Sequence, residues 1–288
     1  MTLKYCLAGA AVAAAALAAA PAAVASTQAV SHAGPGPTVQ VHGMRAAVGA
    51  RLPSTHLPHL APQMSVASSN WSGYAAAADS GARIRFVSAN FTIPSLNCAN
   101  SPLGSSGSAY AGHWAGLDGF NDATAEQTGV DAFCDSSGTP AYYAWYEMYP
   151  LAPVAFTGVN PGDAIHVSVF FDGSSYNLVL TDLTTGGFIN TTQPCPSGST
   201  CRNKSAEVIT EDPGGAVAGG FDLADFGMAN YTGARVTSLT GTHGTLAAQP
   251  NNWTSTEIVM EDTGGTMMAV PSALEGGQAF NVAWRSAT

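Results

Sequence analysis

Residues 126–133 read EQTGVDAF, and the order of polar and apolar residues within them is typical of a β-strand. Side chains two positions apart share one face of a strand. Gln127, Gly129 and Asp131 therefore lie on one face, while Thr128 and Val130 lie on the other. The stretch predicts a strand with a polar face, on which an amide and a carboxylate stand together.

Similar short stretches recur from about residue 69 onward, and they are separated by clusters of Gly, Ser, Asn and Pro. Regularly spaced short strands with turn signals predict an all-β sandwich or barrel. The 32 glycines fit many tight turns better than a helical fold. The predicted strands are Arg83–Ile93, Ala109–Asp118, Glu126–Phe133, Ala141–Tyr149, Ala164–Phe171, Tyr176–Leu183, Ala206–Asp212, Gly219–Phe226, Ala234–Thr240, Ser255–Glu261 and Gln278–Arg285.

Three further strands carry a face that mixes aromatic side chains with carboxylates. For any single strand, ordinary alternation between a buried and a solvated face explains such a pattern. Its recurrence on several strands favours a polar groove with aromatic walls, provided that the strands share one sheet. These faces carry Trp114, Gly116 and Asp118; Tyr143, Trp145, Glu147 and Tyr149; and Glu207, Ile209 and Glu211.

Five short motifs run through this part of the chain in a fixed order. They read SNWSGY (69–74), HWAGLDG (113–119), EQTGVD (126–131), AWYEMYP (144–150) and AEVITED (206–212). In this order and spacing they resemble the glutamic peptidase (eqolisin) family, and the resemblance extends from residue 69 to the C-terminus. It implies an all-β, two-sheet antiparallel sandwich, a lectin-like (concanavalin-like) jelly roll with a substrate cleft on a concave sheet face.

The resemblance also implies a catalytic dyad of Gln127 and Glu211 that acts on polypeptide substrates. A carboxylate such as Glu211 can take a proton from water and later return it to the leaving amine. The Gln127 amide can donate a hydrogen bond to the developing oxyanion at any pH. No metal or other cofactor is predicted. Around the cleft the family motifs place Trp71, Trp114, Asp118, Asp131, Trp145, Glu147 and Tyr149.

Three positions depart from the family's pattern, and all of them border the predicted cleft. Tyr143 stands where members often carry an acidic residue, and Met148 replaces the usual second tryptophan of its motif. Pro213-Gly214 follows Asp212 where an aromatic residue is common. These departures bear on the preference for substrate side chains more than on the chemistry.

Two other functions fit an aromatic groove with carboxylates. A lectin-like sandwich could be a carbohydrate-binding module, with Trp114 and Trp145 as stacking platforms. A glycoside hydrolase could use two of Glu147, Glu207 and Glu211 as its acid and its nucleophile or base. Gln127 distinguishes these alternatives, because a glycosidase needs paired carboxylates whereas the peptidase needs a glutamate and an amide. Neither a Gly-x-Ser-x-Gly nor a His-Glu-x-x-His motif occurs in the sequence, which argues against a serine hydrolase or zinc protease.

The first residues are typical of a segment that directs export. Lys4 precedes an uncharged run rich in Ala, and the run ends in Ala23-Val24-Ala25, so residues 1–25 are predicted to be a signal peptide. A membrane anchor is the alternative, because roughly 20 apolar residues could span a bilayer. The sequence therefore predicts a secreted, extracellular protein that is free of the membrane once the signal is removed, with a monomer as the default.

Charge divides the remaining chain into two parts. All 19 acidic residues lie at or beyond Asp79, whereas Lys4, Arg45 and Arg51 are the only basic residues before it. The charges predict a basic leader at 26–66 that lies on an acidic domain at 67–288, and the resemblance implies that this leader is an inhibitory pro-segment of a catalytic domain; an unstructured linker is the alternative. Few basic groups mean little self-repulsion when the carboxylates are protonated, which suits a protein that works in acid. Without a basic patch, nucleic acid is not expected as a partner.

Once the signal peptide is removed, the cysteines number four, which is typical of two disulfides in an exported chain. Cys98, Cys134, Cys195 and Cys201 allow three pairings. The stretch from Cys195 to Cys201 is short and rich in turn residues, so Cys195–Cys201 with Cys98–Cys134 is the preferred pairing. A zinc site is not expected, because the spacing is wrong and no pair of histidines lies nearby.

Overall fold

The computed structural model describes residues 28–30, 39–42, 44–46, 65–103, 107–214 and 222–287. The predicted signal peptide lies outside these residues, and so does most of the predicted pro-segment. The described residues form strands and no α-helix, with one 3₁₀ turn at Cys98–Asn100. The strands are β1 (Gln28–Val30), β2 (Val39–His42), β3 (Arg45–Ala46), β4 (Ser65–Ser68), β5 (Trp71–Ala78), β6 (Ile84–Thr92), β7 (Ala109–Leu117), β8 (Ala125–Cys134), β9 (Pro140–Tyr149), β10 (Val154–Thr157), β11 (Ala164–Phe171), β12 (Ser175–Asp182), β13 (Phe188–Pro194), β14 (Ser205–Glu211), β15 (Asp222–Leu223), β16 (Met228–Ser238), β17 (His243–Gly244), β18 (Trp253–Glu261), β19 (Met267–Pro271) and β20 (Phe280–Trp284).

The strands form two layers, and nearly all neighbours are antiparallel. The first sheet has the order β4–β18–β5–β14–β7–β8–β9–β10–β3. The second has the order β1–β2–β13–β12–β11–β6–β16–β20. Strand β19 pairs with both β18 and β20 and so joins the two sheets at one side. The predicted all-β, two-sheet antiparallel sandwich is confirmed, while the jelly-roll order stays a prediction.

The main hydrophobic core lies between the two sheets. It contains Ala115, Val130 and Val208 from the first sheet, together with Val167 and Leu178 from the second, all fully buried. These positions alternate with the polar and aromatic positions of the same strands, as period-2 patterning requires. The face of the first sheet that points away from this core is called the groove face below.

A second, smaller hydrophobic cluster lies on the groove face. Its largest members are Trp71, Trp114 and Trp145, all buried, with Ile209 and Ile258 beside them. A strand face that carries tryptophans and is also closed to solvent is therefore not an ordinary solvated surface. This arrangement favours the groove interpretation over simple inside/outside alternation.

Two disulfides join Cys98 to Cys134 and Cys195 to Cys201. The preferred pairing is confirmed. The first ties the 3₁₀ turn to the end of β8, and the second closes the loop before β14.

Within the described ranges, no helix is long and apolar enough to cross a membrane. The same residues contain no group of three or more His, Cys, Asp or Glu side chains arranged to hold a metal ion.

Candidate active site

Four neighbouring strands, β14, β7, β8 and β9, arrange the predicted site residues in three rows across the groove face. Antiparallel partners directly opposite each other point to the same face, so the strand register fixes the rows. The first row is Glu211, Gly112, Asp131 and Tyr143. The second is Ile209, Trp114, Gly129 and Trp145. The third is Glu207, Gly116, Gln127 and Glu147.

Trp114 occupies the middle of this face, and two glycines make room for its ring. A Cβ atom at Gly129 would lie 2.5 Å from the Trp114 Cβ, and one at Gly116 would lie 3.1 Å from its Cζ3. Trp71 packs edge-on against the indole, with ring centroids 5.0 Å apart at 76°. Any side chain at the two glycine positions would collide with the tryptophan, so the glycines of HWAGLDG and EQTGVD have a packing role.

Gln127 is fully buried, and its amide is oriented by a carboxylate. Its Nε2 donates a hydrogen bond of 2.6 Å to Glu147 Oε2 on the neighbouring strand. The amide therefore presents N–H toward Glu147 and keeps a second N–H available, because a primary amide has two donors. Its buried Oε1 accepts no hydrogen bond from the described residues.

Glu211 is also fully buried, and two donors contact its carboxylate, one from β7 and one from the bend between β4 and β5. The indole Nε1 of Trp114 donates to Oε2 at 2.8 Å, and the Asn70 side-chain amide donates to Oε1 at 3.5 Å. Ser68 in turn donates through Oγ to Asn70 Oδ1 at 3.1 Å. Asn70 belongs to the SNWSGY motif but was not among the predicted site residues, and its position beside Glu211 could be found only from the pairing of β5 with β14.

Gln127 and Glu211 approach Trp114 from opposite corners. They lie opposite Gly116 and Gly112, four residues apart on β7. That offset amounts to roughly 13 Å along the strand, with two strand spacings of about 5 Å each across the sheet. Both side chains would have to lean toward the centre to reach one water, so their contact with a shared water stays a prediction.

The remaining cleft residues surround this centre. Trp145 donates through Nε1 to Asp131 Oδ1 at 3.0 Å, which pairs an aromatic wall with a carboxylate as the sequence predicted. Tyr149 ends β9 on the same face as Glu147. The structure thus brings Trp71, Trp114, Asp131, Trp145 and Glu147 to one face with the proposed dyad.

A sequence model described as the Peptidase A4 family matches residues 69–282. The chain belongs to this family. The match covers all five motifs and every residue of the three rows, so the glutamic peptidase (eqolisin) resemblance is confirmed.

Two curated relatives place the chain within the A4 family. It is 32% identical over 189 residues to aspergillopepsin-2 of Aspergillus niger, an alignment that covers 59% of this chain and 65% of the relative. It is 36% identical over 149 residues to scytalidopepsin B of Scytalidium lignicola, covering 50% and 52%. The chain therefore spans about two thirds and one half of the length of these relatives.

Solved structures of A4 family members share the fold. Scytalido-glutamic peptidase bound to a peptide-based transition-state analogue matches with a TM-score of 0.56 at 27% identity, covering 75% of this chain and 98% of that one. Aspergilloglutamic peptidase from Aspergillus niger matches with a TM-score of 0.52 at 30% identity, covering 62% and 99%.

Asp118 has a different setting from the other residues that the family motifs indicate. Its carboxylate accepts hydrogen bonds from the backbone N–H groups of Arg202, Asn203 and Lys204, at 2.8, 2.6 and 2.5 Å. It follows the last residue of β7 and has a positive φ of 62°. Asp118 therefore anchors the loop that follows the Cys195–Cys201 disulfide, and direct contact with substrate stays a prediction.

Buried carboxyl groups cluster around Asp118. Burial raises the pKa of Asp118 to about 7, although the backbone N–H groups of Lys204 and Asn203 lower it. Burial also raises the pKa of Glu126 and of Glu207 well above the usual range, and the nearby charge of Asp118 raises both further. Sequence alternation placed Glu207 on the polar face. Glu126 lies on the opposite face of β8, and nothing in the sequence indicates that its carboxyl group is buried.

We expect the free energy of unfolding of this A4 family chain to fall as the pH rises from about 4.5 to 7. Over that range the unfolded chain releases carboxyl protons near a pKa of about 4, while folded Asp118, Glu126 and Glu207 retain theirs. The folded state then binds more protons, so each group lowers stability by up to about 1.4 kcal/mol per pH unit. His113 has the opposite effect, because burial lowers its pKa to about 3 and only the unfolded chain takes up its proton below about 6.5. The three carboxyl groups together change the free energy of unfolding more than the single imidazole does, so the net slope is negative.

Urea unfolding between pH 3 and 7 measures this slope. Glu207→Gln removes one of the three groups, so this variant should match the wild type at pH 3 and exceed its stability at pH 7. Glu275→Gln removes a carboxylate from an exposed position and serves as the control, with an unchanged slope. A wild-type stability that rises steadily from pH 4.5 to 7 would contradict the expectation.

Proposed function

We propose that this chain is a secreted endopeptidase that hydrolyses peptide bonds in acid, with Glu211 as general base and acid and Gln127 as the oxyanion donor. The observation that carries the proposal is the pair of oriented head groups. Glu211 is contacted by Trp114 Nε1, and Gln127 is contacted by Glu147, on one buried sheet face. Membership of the A4 family supports peptide hydrolysis, as does the peptide-based analogue bound to a solved relative.

The first chemical step is attack of water on the scissile carbonyl carbon. A Glu211 carboxylate oxygen takes a proton from the water as the new C–O bond forms. The carbonyl oxygen becomes an oxyanion, which accepts a hydrogen bond from the second N–H of Gln127 Nε2. The first N–H stays on Glu147, which holds the amide plane in place while charge develops.

The second step is departure of the amine. Glu211 returns the proton to the peptide nitrogen, the C–N bond breaks, and the carbonyl re-forms. One residue therefore acts first as a base and then as an acid, and no covalent intermediate with the protein is required. The Trp114 N–H on Oε2 fixes the carboxylate plane throughout, so Oε1, which the Asn70 amide contacts at 3.5 Å, is the oxygen proposed to take up and return the proton.

The glycoside hydrolase alternative fits the site less well. Glu147, one of the candidate carboxylates, accepts a hydrogen bond from the Gln127 amide. An amide between the carboxylates serves an oxyanion better than an oxocarbenium ion, because a neutral donor does not stabilise positive charge. We propose a polypeptide as the substrate, the segment 26–66 as an inhibitory pro-segment, and a monomeric enzyme without metal or other cofactor.

The proposal is tested by incubating the purified chain at about pH 3 with an unfolded protein, in the presence of a metal chelator and a pepstatin-type inhibitor. New peptide termini identified by mass spectrometry are expected despite both additions. The same preparation is offered a panel of oligosaccharides as a parallel arm. Cleavage of an oligosaccharide without cleavage of the protein would replace the peptidase with the glycosidase.

A further inference from the structure

Residues 39–42 and 44–46 lie against the edges of two sheets that the proposed chemistry does not use. Strand β2 pairs antiparallel with β13 at the edge of the second sheet, in the register Val39 with Thr191 to His42 with Phe188. Three residues later β3 pairs antiparallel with β10 at the edge of the first sheet, Arg45 opposite Thr157. One short segment thus crosses from the edge of one layer to the edge of the other.

We propose that β10 and β13 form a strand-docking surface whose occupant is residues 39–46 of the same chain, and that this segment remains bound after the chain is cut between residues 47 and 64. An exposed sheet edge presents unpaired backbone N–H and C=O groups, and an added strand satisfies them. The docked segment therefore completes both sheets through its main chain.

The crossing between the two edges has a buried anchor. Met44 is only 7% exposed and belongs to the core between the sheets. The ring of His42 stacks on Phe188 with centroids 5.6 Å apart. Gly187 allows the close approach, because a Cβ there would lie 3.3 Å from the His42 carbonyl oxygen and 3.5 Å from Met44 Cε. Packing of the Met44 and His42 side chains therefore adds to the backbone pairing in holding the segment.

The charge of Arg45 also favours binding of this segment at the sheet edge. Ala155 pairs with Trp145, so Thr157 and its partner Arg45 lie on the groove side of the sheet edge. The exposed Arg45 thus adds a cation to the rim of a face that carries Asp131, Glu147 and Glu211. The contacts described here hold the segment at the sheet edges, so a pro-segment bound in this way is retained by strand pairing and not only by the electrostatic attraction that the sequence predicted.

A cutting experiment tests the proposal without measuring peptide hydrolysis. A recognition sequence for a site-specific protease is placed within residues 51–60 of the full chain, in the wild type and with Glu211→Gln to exclude self-cleavage. After cutting at neutral pH, gel filtration and mass spectrometry measure the fraction of the leader that elutes with the body. We expect more than nine tenths to co-elute. If the cut leader of the wild type elutes separately from the rest of the chain under these conditions, the proposal is overturned by that result alone.

Three variants show which contacts retain the leader. Met44→Asp should lower the retained fraction at least tenfold, because it places a carboxylate at the buried anchor. Gln40→Asp adds the same charge at an exposed position of the same segment and should retain the leader as the wild type does. Gly187→Val alters the receiving surface alone and should release the leader as Met44→Asp does. Equal behaviour of Met44→Asp and Gln40→Asp would overturn the docking mode, and neither result depends on whether the chain is a peptidase.

Discussion

The Glu211→Gln chain is expected to hydrolyse peptide bonds about 10²–10⁴-fold more slowly than the wild type at pH 3, because that is the contribution that general acid–base catalysis makes. The amide cannot take the proton from water, and it cannot return one to the leaving nitrogen. Its oxygen still accepts the hydrogen bond that Trp114 Nε1 gives to Glu211 Oε2, so the packing around it is preserved. Initial rates on an internally quenched peptide, with urea unfolding of both chains at pH 3, measure the effect.

Glu207→Gln is the matched control for this variant. Both glutamates lie on β14, on the same face, and both are fully buried. Each variant removes one carboxyl group from the groove face, so a loss common to both would reflect the charge of the groove and not a specific base. We expect Glu207→Gln to keep its rate at pH 3. Because Glu207 stands across Gly116 from Gln127, a loss in this variant together with an unchanged rate for Glu211→Gln would assign the base to Glu207. Equal rates for Glu211→Gln and the wild type would contradict the assigned chemistry.

The strands that sequence patterning predicted best are those with alternating apolar residues. Nine strands agree with the predictions to within about two residues at each end: β6, β7, β8, β9, β11, β12, β14, β18 and β20. β16 was predicted only in its second half, because its register against β6 breaks around Gly233, which has a φ of 62°. A bulge of this kind removes the regular alternation on which the prediction depends.

Other strands lacked a usable signal. β5 contains the run Ala75–Ala78, which has little preference for strands, and its pairing with both β14 and β18 defines it. β13 has Asn and Thr at several positions instead of apolar residues, while β10 and β19 are short. The predicted strand Gly219–Phe226 is wrong in its extent, since the described part of it forms only Asp222–Leu223 against β7. In each case long-range pairing, and not local preference, makes the strand.

For the site, alternation predicted which side chains share a face but not how the strands align. The three rows depend on the register of β7 against β8 and β14, which sequence spacing does not contain. Asn70 and the carboxyl cluster around Asp118 were missed for that reason. The short motifs led to the prediction of Gln127 and Glu211 as the dyad, whereas the residues that surround them could be found only from the register.

The second large effect concerns Gln127. Gln127→Ala is expected to lower kcat by about 10²–10³-fold, because the loss of one oxyanion donor raises the barrier by about 3–4 kcal/mol. KM should change little, since the hydrogen bond forms with the oxyanion and not with the substrate carbonyl in its ground state. Glu126→Gln is the control, because Glu126 is the preceding residue on β8 and points to the opposite face. A change in KM alone would indicate that Gln127 only binds substrate.

The double variant Gln127→Ala/Glu211→Gln tests whether the two residues act on one water. Groups that act as a unit give losses that do not multiply, because removal of either one already disables the shared step. We therefore expect the double variant to be no more than a few-fold slower than Glu211→Gln alone. The register separates the two residues by four positions along β7, so independent action is the physical alternative. If the two residues act independently, the two losses in rate would multiply. The proposed cooperation across Trp114 would then be wrong, even though each residue is needed for activity.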